Sequence, residues 1–417
     1  MRNLRKLGIP SRFGFAVLFA GLFGSAFVPT TPAAAVSAFK EKVLYSFSGD
    51  ADGAQPYANV IKVKSTLYGT TFGGGNSFAG TVFAIDLSTG LETVLYSFDQ
   101  NRGFPEGGLI DRKGTLYGTA SGQDTPGIVF SFDLDTGVGK TLYNFCGLEN
   151  CSDGANPLAS VIKIKNTLYG TTVAGGRTDC HDGGCGTVFA LNPDTGVEKV
   201  LYSFCSQQNC ADGANPLAGL ITVNGMLYGT TSARGAHGGG NVFAIDPNTG
   251  AATIVYSFCS LKNCGDGRYP LAALVDVNNR LYGTTISGGG NGCGGEGCGT
   301  VFSFDLSTGK QTVLYSFCSQ KNCTDGRNPM ASLVDVNGTL YGTTIQGGST
   351  GCGAQGCGTV FSLDPSTGTE AVLHSFSGSD GESPRGGLVA AGDKFYGTTI
   401  SGGASGNGTV FMLKPTS

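Results

Sequence analysis

Tyr57, Glu106 and Arg385 carry the side chains in this chain whose types and positions point to chemistry. Each directly follows a proline that recurs along the sequence. At four other copies of that proline the next residue is apolar: Leu158, Leu217, Leu271 and Met330. An acid, a base and a phenol replacing an apolar set could bind a polar ligand, with Arg385 and Glu106 taking its hydrogen bonds and Tyr57 its ring face. They could equally form an ion pair with no ligand. Histidine is scarce, at His181, His237 and His374. No G-x-S-x-G elbow, H-E-x-x-H pair, calcium loop or phosphate loop occurs, so no cofactor and no metal site is expected.

Cysteine offers a second kind of chemistry. The 14 cysteines fall into C-x4-C pairs: Cys146/Cys151, Cys180/Cys185, Cys205/Cys210, Cys259/Cys264, Cys293/Cys298, Cys318/Cys323 and Cys352/Cys357. The two members of a pair occur together or not at all, and none is left over. That favours disulfides between neighbours in an exported chain. The alternative, zinc, needs two such units to converge on one ion.

The elements that must position these residues are set by repetition. V-L-Y-S-F or a near copy, then L-Y-G-T-T, then G-T-V-F recur seven times in the same order, about 55 residues apart. That period is the size of a β-propeller blade. In the sixth copy, Pro329 to Val336 reads as a first strand and Asn337-Gly338 as a two-residue hairpin turn. Thr339 to Thr344 reads as a second strand, Gly358 to Asp364 as a third and Val372 to Phe376 as a fourth. The expected fold is all-β, a seven-bladed propeller of four-stranded blades. Val43 to Phe47 is a fourth strand with no blade before it, and the last repeat lacks a fourth strand. The N-terminal strand is therefore expected to complete the last blade and close the ring, which removes an open edge. The small residues two and three places after the proline are expected where blades crowd together, and the Tyr and Phe of the repeat strings between blades.

This topology puts both kinds of cysteine pair on one face. Four pairs follow the fourth strand and three precede the third, in loops that emerge on the same side. Asp52, Asp153, Asp212, Asp266, Asp325 and Asp380 each precede a Gly in the first kind of loop, a setting in which Asp caps its own turn.

Residues 1–38 read as a secretory signal, with Arg2, Arg5, Lys6 and Arg12 before the apolar Phe13 to Val28 and cleavage after Ala35 or Ala38. The mature domain is then 39–417. Its removal takes four cations and no anions, moving the formal net charge from −4 to about −8. Such a chain is a poor partner for nucleic acid or an anionic membrane.

Together the strings V-L-Y-S-F, D-G-x-x-P, L-Y-G-T-T-x-x-G-G and G-T-V-F resemble the GloVer tandem-repeat family of exported bacterial proteins, from about Val43 to Leu413. The resemblance implies export and carries no catalytic residue. Members carry a variable C-terminal anchor, whereas this chain ends at Lys414-Pro415-Thr416-Ser417, so secretion or periplasmic residence is expected. The leading functional expectation is a monomeric, non-catalytic binding or scaffold protein for an extracellular glycan or protein, with Tyr57, Glu106 and Arg385 as the ligand site. The alternative is a polysaccharide lyase or hydrolase acting at the channel mouth.

Overall fold

The structure is a computed structural model that describes residues 38–122, 125–177, 183–290, 292–349 and 351–416. The signal-sequence reading falls on 1–38, nearly all of it outside the described residues. Every repeat folds into one four-stranded antiparallel sheet, and there are seven such sheets. In the sixth, the strands are Val334–Val336, Thr339–Thr344, Thr359–Asp364 and Thr369–Ser375. Asn337 and Gly338 both adopt positive φ, 55° and 83°, as a primed two-residue turn requires. Val334 pairs with Tyr341 and Val336 with Thr339 across it.

The repeat strings are interface residues. The Phe of each G-T-V-F lies under the Gly of the same blade's L-Y-G-T-T. A Cβ on Gly342 would stand 2.7 Å from Phe361 Cζ, so only glycine fits there. That Phe also meets the Phe ending the preceding blade's fourth strand. Phe317 contacts Phe361, Phe145 contacts Phe189 and Phe47 contacts Phe83 edge-on, with centroids 5.0–5.1 Å apart. Such geometry adds about 0.5–1.5 kcal/mol per pair beyond burial. The threonines tie blade to blade at the inner end. Thr119 Oγ1 donates to the Ala159 carbonyl at 2.9 Å and Thr171 Oγ1 to that of Ala218 at 3.1 Å. Crowding there explains the small residues, since a Cβ on Gly107 would lie 2.8 Å from the Ala159 backbone.

The ring closes as the orphan strand implies. Phe39–Ser46 lies antiparallel against Thr409–Pro415, from Phe39↔Pro415 to Ser46↔Thr409, and completes the sheet begun by Val389–Ala391 and Lys394–Thr399. Phe47, Val60, Phe83, Tyr396 and Val410 share one core cluster, so the seventh blade packs on the first as the other blades pack on each other. Short 3-10 turns occur in the loops, and among the described residues no helix is long and apolar enough to cross a membrane.

Candidate functional site

The segment that enters each innermost strand lines the central channel. Closure makes the seventh, first and second blades neighbours, so Arg385, Tyr57 and Glu106 stand side by side. Arg385 Nη2 donates to Glu106 Oε2 at 3.0 Å, and its guanidinium lies over the Tyr57 ring, 4.4 Å from the centroid. One arginine thus spans the first blade to reach the second. The Arg385 and Glu106 side chains are 31% and 18% exposed, which leaves the pair within reach of a ligand entering from solvent. Leu158, Leu217, Leu271 and Met330 supply the facing wall, and the enclosed space is about 530 Å³. Half of the mouth is therefore polar and half apolar. Beyond these seven, Asn59, Ser160 and Ser332 are the polar side chains of a lining otherwise made of Gly, Ala and aliphatic residues.

Two residues of this arrangement were not singled out in the sequence. Phe72 packs edge-on against Tyr57, with centroids 4.9 Å apart, and Phe104 packs on Phe72 at 5.2 Å. Phe72 buttresses the Tyr57 ring and Phe104 backs Phe72. A signal for them exists. Phe72 stands where other blades have Ser121, Val173, Ser232, Ile286, Ile345 and Ile400, and Phe104 stands where three others have Asn156, Asn215 and Asn328. The first and second blades thus depart from the repeat at several positions that meet in space.

The face carrying the mouth is stapled. Disulfides join Cys146–Cys151, Cys205–Cys210, Cys259–Cys264, Cys293–Cys298, Cys318–Cys323 and Cys352–Cys357. The expected seventh pair, Cys180/Cys185, differs from these six because only one of its members is described. Cys185 is fully buried, packed in a core cluster with Phe204 and Cys205, and is disulfide-bonded. Its expected partner Cys180 lies outside the described residues, as does His181, so the Cys180–Cys185 pairing stays an expectation from the sequence. Among the described residues no cysteine is free, so the thiolates that zinc would need are not available there. The two kinds of bridge adjoin, as Cys293, Cys298 and Cys318 lie in one cluster. Bridges such as Ala54↔Gly73 and Arg327↔Gln346 tie the two loop types together on the same face.

The repeated loop aspartates are structural caps. Asp153 is fully buried, accepts the Tyr143 hydroxyl at 2.8 Å and accepts the Gly147 N–H at 2.9 Å. Asp212, Asp266 and Asp325 do the same for Tyr202, Tyr256 and Tyr315, each at 2.8 Å. Burial, with the aspartate beside it, pushes the Tyr202 and Tyr256 hydroxyls up to about 12. In the sixth blade His374 replaces the tyrosine and meets Asp380 Oδ2 at 3.0 Å. Burial lowers the His374 pKa against the pull of Asp380. Glu41, His374 and Asp380 bring donor atoms within 4.8 Å of one another, on two outer strands and the loop that follows one of them rather than in the channel. His237 and His374 do not line the channel either.

The model of the Gloeobacter/Verrucomicrobia repeat matches residues 31–180, 149–354 and 294–417. A search of curated proteins finds no match to the chain. Among solved structures, an oligogalacturonate lyase in complex with manganese is similar over 92% of this chain and 94% of its own, at 12% identity and a TM-score of 0.54. The oligogalacturonate lyase of Vibrio parahaemolyticus is similar over 91% and 97%, at 10% identity and a TM-score of 0.53. A putative 6-phosphogluconolactonase from Bacteroides uniformis is similar over 81% and 88%, at 15% identity and a TM-score of 0.50. At such identities the likeness is one of fold, shared by propellers whose named activities differ. The family resemblance carried by the repeat strings is the family that matches, and the chain belongs to the Gloeobacter/Verrucomicrobia repeat family.

Proposed function

We propose that this protein is an exported binding protein that takes a glycan in the mouth of its channel, with Tyr57, Glu106 and Arg385 as the polar side of the site. The single observation that carries this reading is the placement of Arg385 over the Tyr57 ring and against Glu106 at the rim of the 530 Å³ cavity. Such an arc offers charged donors and acceptors to hydroxyls, while the Leu158, Leu217, Leu271 and Met330 wall offers an apolar surface to a sugar face. The disulfide-bonded loops around the mouth support it, because a rigid rim loses little freedom on binding. The multiple disulfides also favour an oxidising compartment. Affinity electrophoresis through gels cast with a panel of polysaccharides tests the reading. Retardation in at least one gel is the expected outcome. Free migration in all of them, with capture of an extracellular protein instead, would move the ligand class from glycan to protein.

A second reading rests on the same pair. A lyase acting on a uronate needs a base beside a cation that neutralises the sugar carboxylate, and Tyr57 and Arg385 are so juxtaposed. Appearance of unsaturated products from a polyuronate, lost in Tyr57→Phe, would favour that enzyme over a pure binding role.

A further inference from the structure

The outermost strands carry a second repeated feature, away from the channel. Opposite a fixed position of the third strand stand Glu92 (facing Ile85), Glu198 (facing Leu191), Gln311 (facing Phe304) and Glu370 (facing Leu363). The corresponding residues of the second and fourth blades are Gly139 and Ala252, and that of the seventh is a fourth glutamate, Glu41, facing Leu413. These are equivalent places, each turned toward the blade before it. Gln311 shows what the place is built for: its Nε2 donates to the main-chain carbonyl of Asp266, the capping aspartate of the preceding loop, at 3.2 Å.

The glutamates occupy that place without a donor. Oε1 of Glu92, of Glu198 and of Glu370 is buried and has no hydrogen-bond partner. The ionisable groups facing them come from the preceding loop and outer strand. Glu92 faces Asp52 and Tyr45, Glu198 faces Asp153 and Tyr143, and Glu370 faces Asp325 and Tyr315. In each pair the aspartate is the member that collects the available O–H and N–H donors. Asp153 already accepts the Tyr143 hydroxyl and two loop N–H groups, and Asp325 accepts the Tyr315 hydroxyl and the Ser319 N–H. A glutamate carboxylate buried beside such a donor-capped aspartate would be unpaired, whereas a carboxylic acid supplies the O–H that Gln311 supplies as N–H.

We propose that Glu92, Glu198 and Glu370 are proton-holding ties between neighbouring blades, each keeping its carboxyl protonated against the capping-aspartate loop of the blade before it, and that loss of these protons as pH rises loosens the ring. Burial first, and the aspartate charge second, push all three glutamates up to about 7. The sign follows by linkage. A carboxyl whose folded pKa lies above its unfolded value of about 4.3 gives stability that is complete below that value. That stability is lost as pH rises toward about 7. The ties make stability fall across that window, opposite to the usual behaviour of carboxylates held as anions.

Thermal unfolding of the full chain at pH 5 and pH 8 tests this, comparing the natural protein with Glu92→Gln/Glu198→Gln/Glu370→Gln. Glutamine is the residue the fifth blade already uses. The natural protein is expected to lose several degrees of midpoint between the two pH values. The triple variant should lose less than half as much and unfold above the natural protein at pH 8. Parallel losses, or a variant no more stable than the natural protein at pH 8, would overturn the proposal. Should the triple variant not fold, the three single variants decide. Each is expected to remove about a quarter of the pH-dependent loss, the remainder staying with Glu41, and no change in any of them would overturn it. An infrared C=O band of protonated carboxyl present at pH 6 and diminished in each variant is the expected spectroscopic counterpart.

Discussion

Thr398, in the last repeat, donates its hydroxyl to the main-chain carbonyl of Ala58, in the first, at 2.8 Å across 340 residues of sequence. The same bond joins Thr119 to Ala159 and Thr171 to Ala218 between blades that follow one another in the chain. The closing interface is thus chemically the same as the others. What differs is the seventh sheet itself, where Phe39–Ser46 and Thr409–Pro415 pair with no turn joining them.

Removal of that strand should be severe. A chain beginning at Phe47 lacks Phe39–Ser46 and leaves Thr409–Pro415 as an open edge. Exposed edges of this kind recruit other chains. Light scattering during heating should show association at a lower temperature than for the longer chain, and size-exclusion chromatography should show higher oligomers.

Loss of a loop cap has a calculable cost. Asp153→Ala strips acceptors from the Tyr143 hydroxyl and from two loop N–H groups around a fully buried site. At about 1–3 kcal/mol per stranded group, partly relieved by water, a loss of about 3 kcal/mol is expected in chemical denaturation. Arg102→Ala is the contrast. It breaks a pair with Asp99 whose side chains are 49% and 40% exposed, and should shift stability by no more than about 0.5 kcal/mol.

The disulfides close short loops, with a sequence separation of 5 in each described case. Loops of that length are worth about 2 kcal/mol each on chain entropy. Cys146→Ser/Cys151→Ser should lower stability by about that amount. Titration of thiols in the unfolded, unreduced protein should find none, and zinc analysis of the native protein should find no stoichiometric metal at the cysteines.

Much of this was legible in the sequence because a propeller repeats its instructions. The seven strings, the Asn337-Gly338 turn and the orphan Val43 to Phe47 led to blade, hairpin and closure. Tyr57, Glu106 and Arg385 stood out because they break a repeat in blades that closure makes adjacent. Phe72 and Phe104 did not, because a lone aromatic beside the repeat strings reads as core until its neighbour in space is known. The Asp52–Glu92 and Asp325–Glu370 relationships were also hidden. Their partners lie about 40 residues apart in sequence, and a glutamate in an outer strand reads as solvated until the preceding blade is seen to cover it.

The most direct test of the binding site compares the natural protein with Tyr57→Ala and Arg385→Ala in the polysaccharide gel that retards it. Both variants should migrate freely while keeping a thermal midpoint close to that of the natural protein, since neither residue belongs to the repeated pairs between blades such as Phe47–Phe83 and Phe145–Phe189. Retardation equal to that of the natural protein in both variants would place the ligand elsewhere and contradict the assignment of the channel mouth.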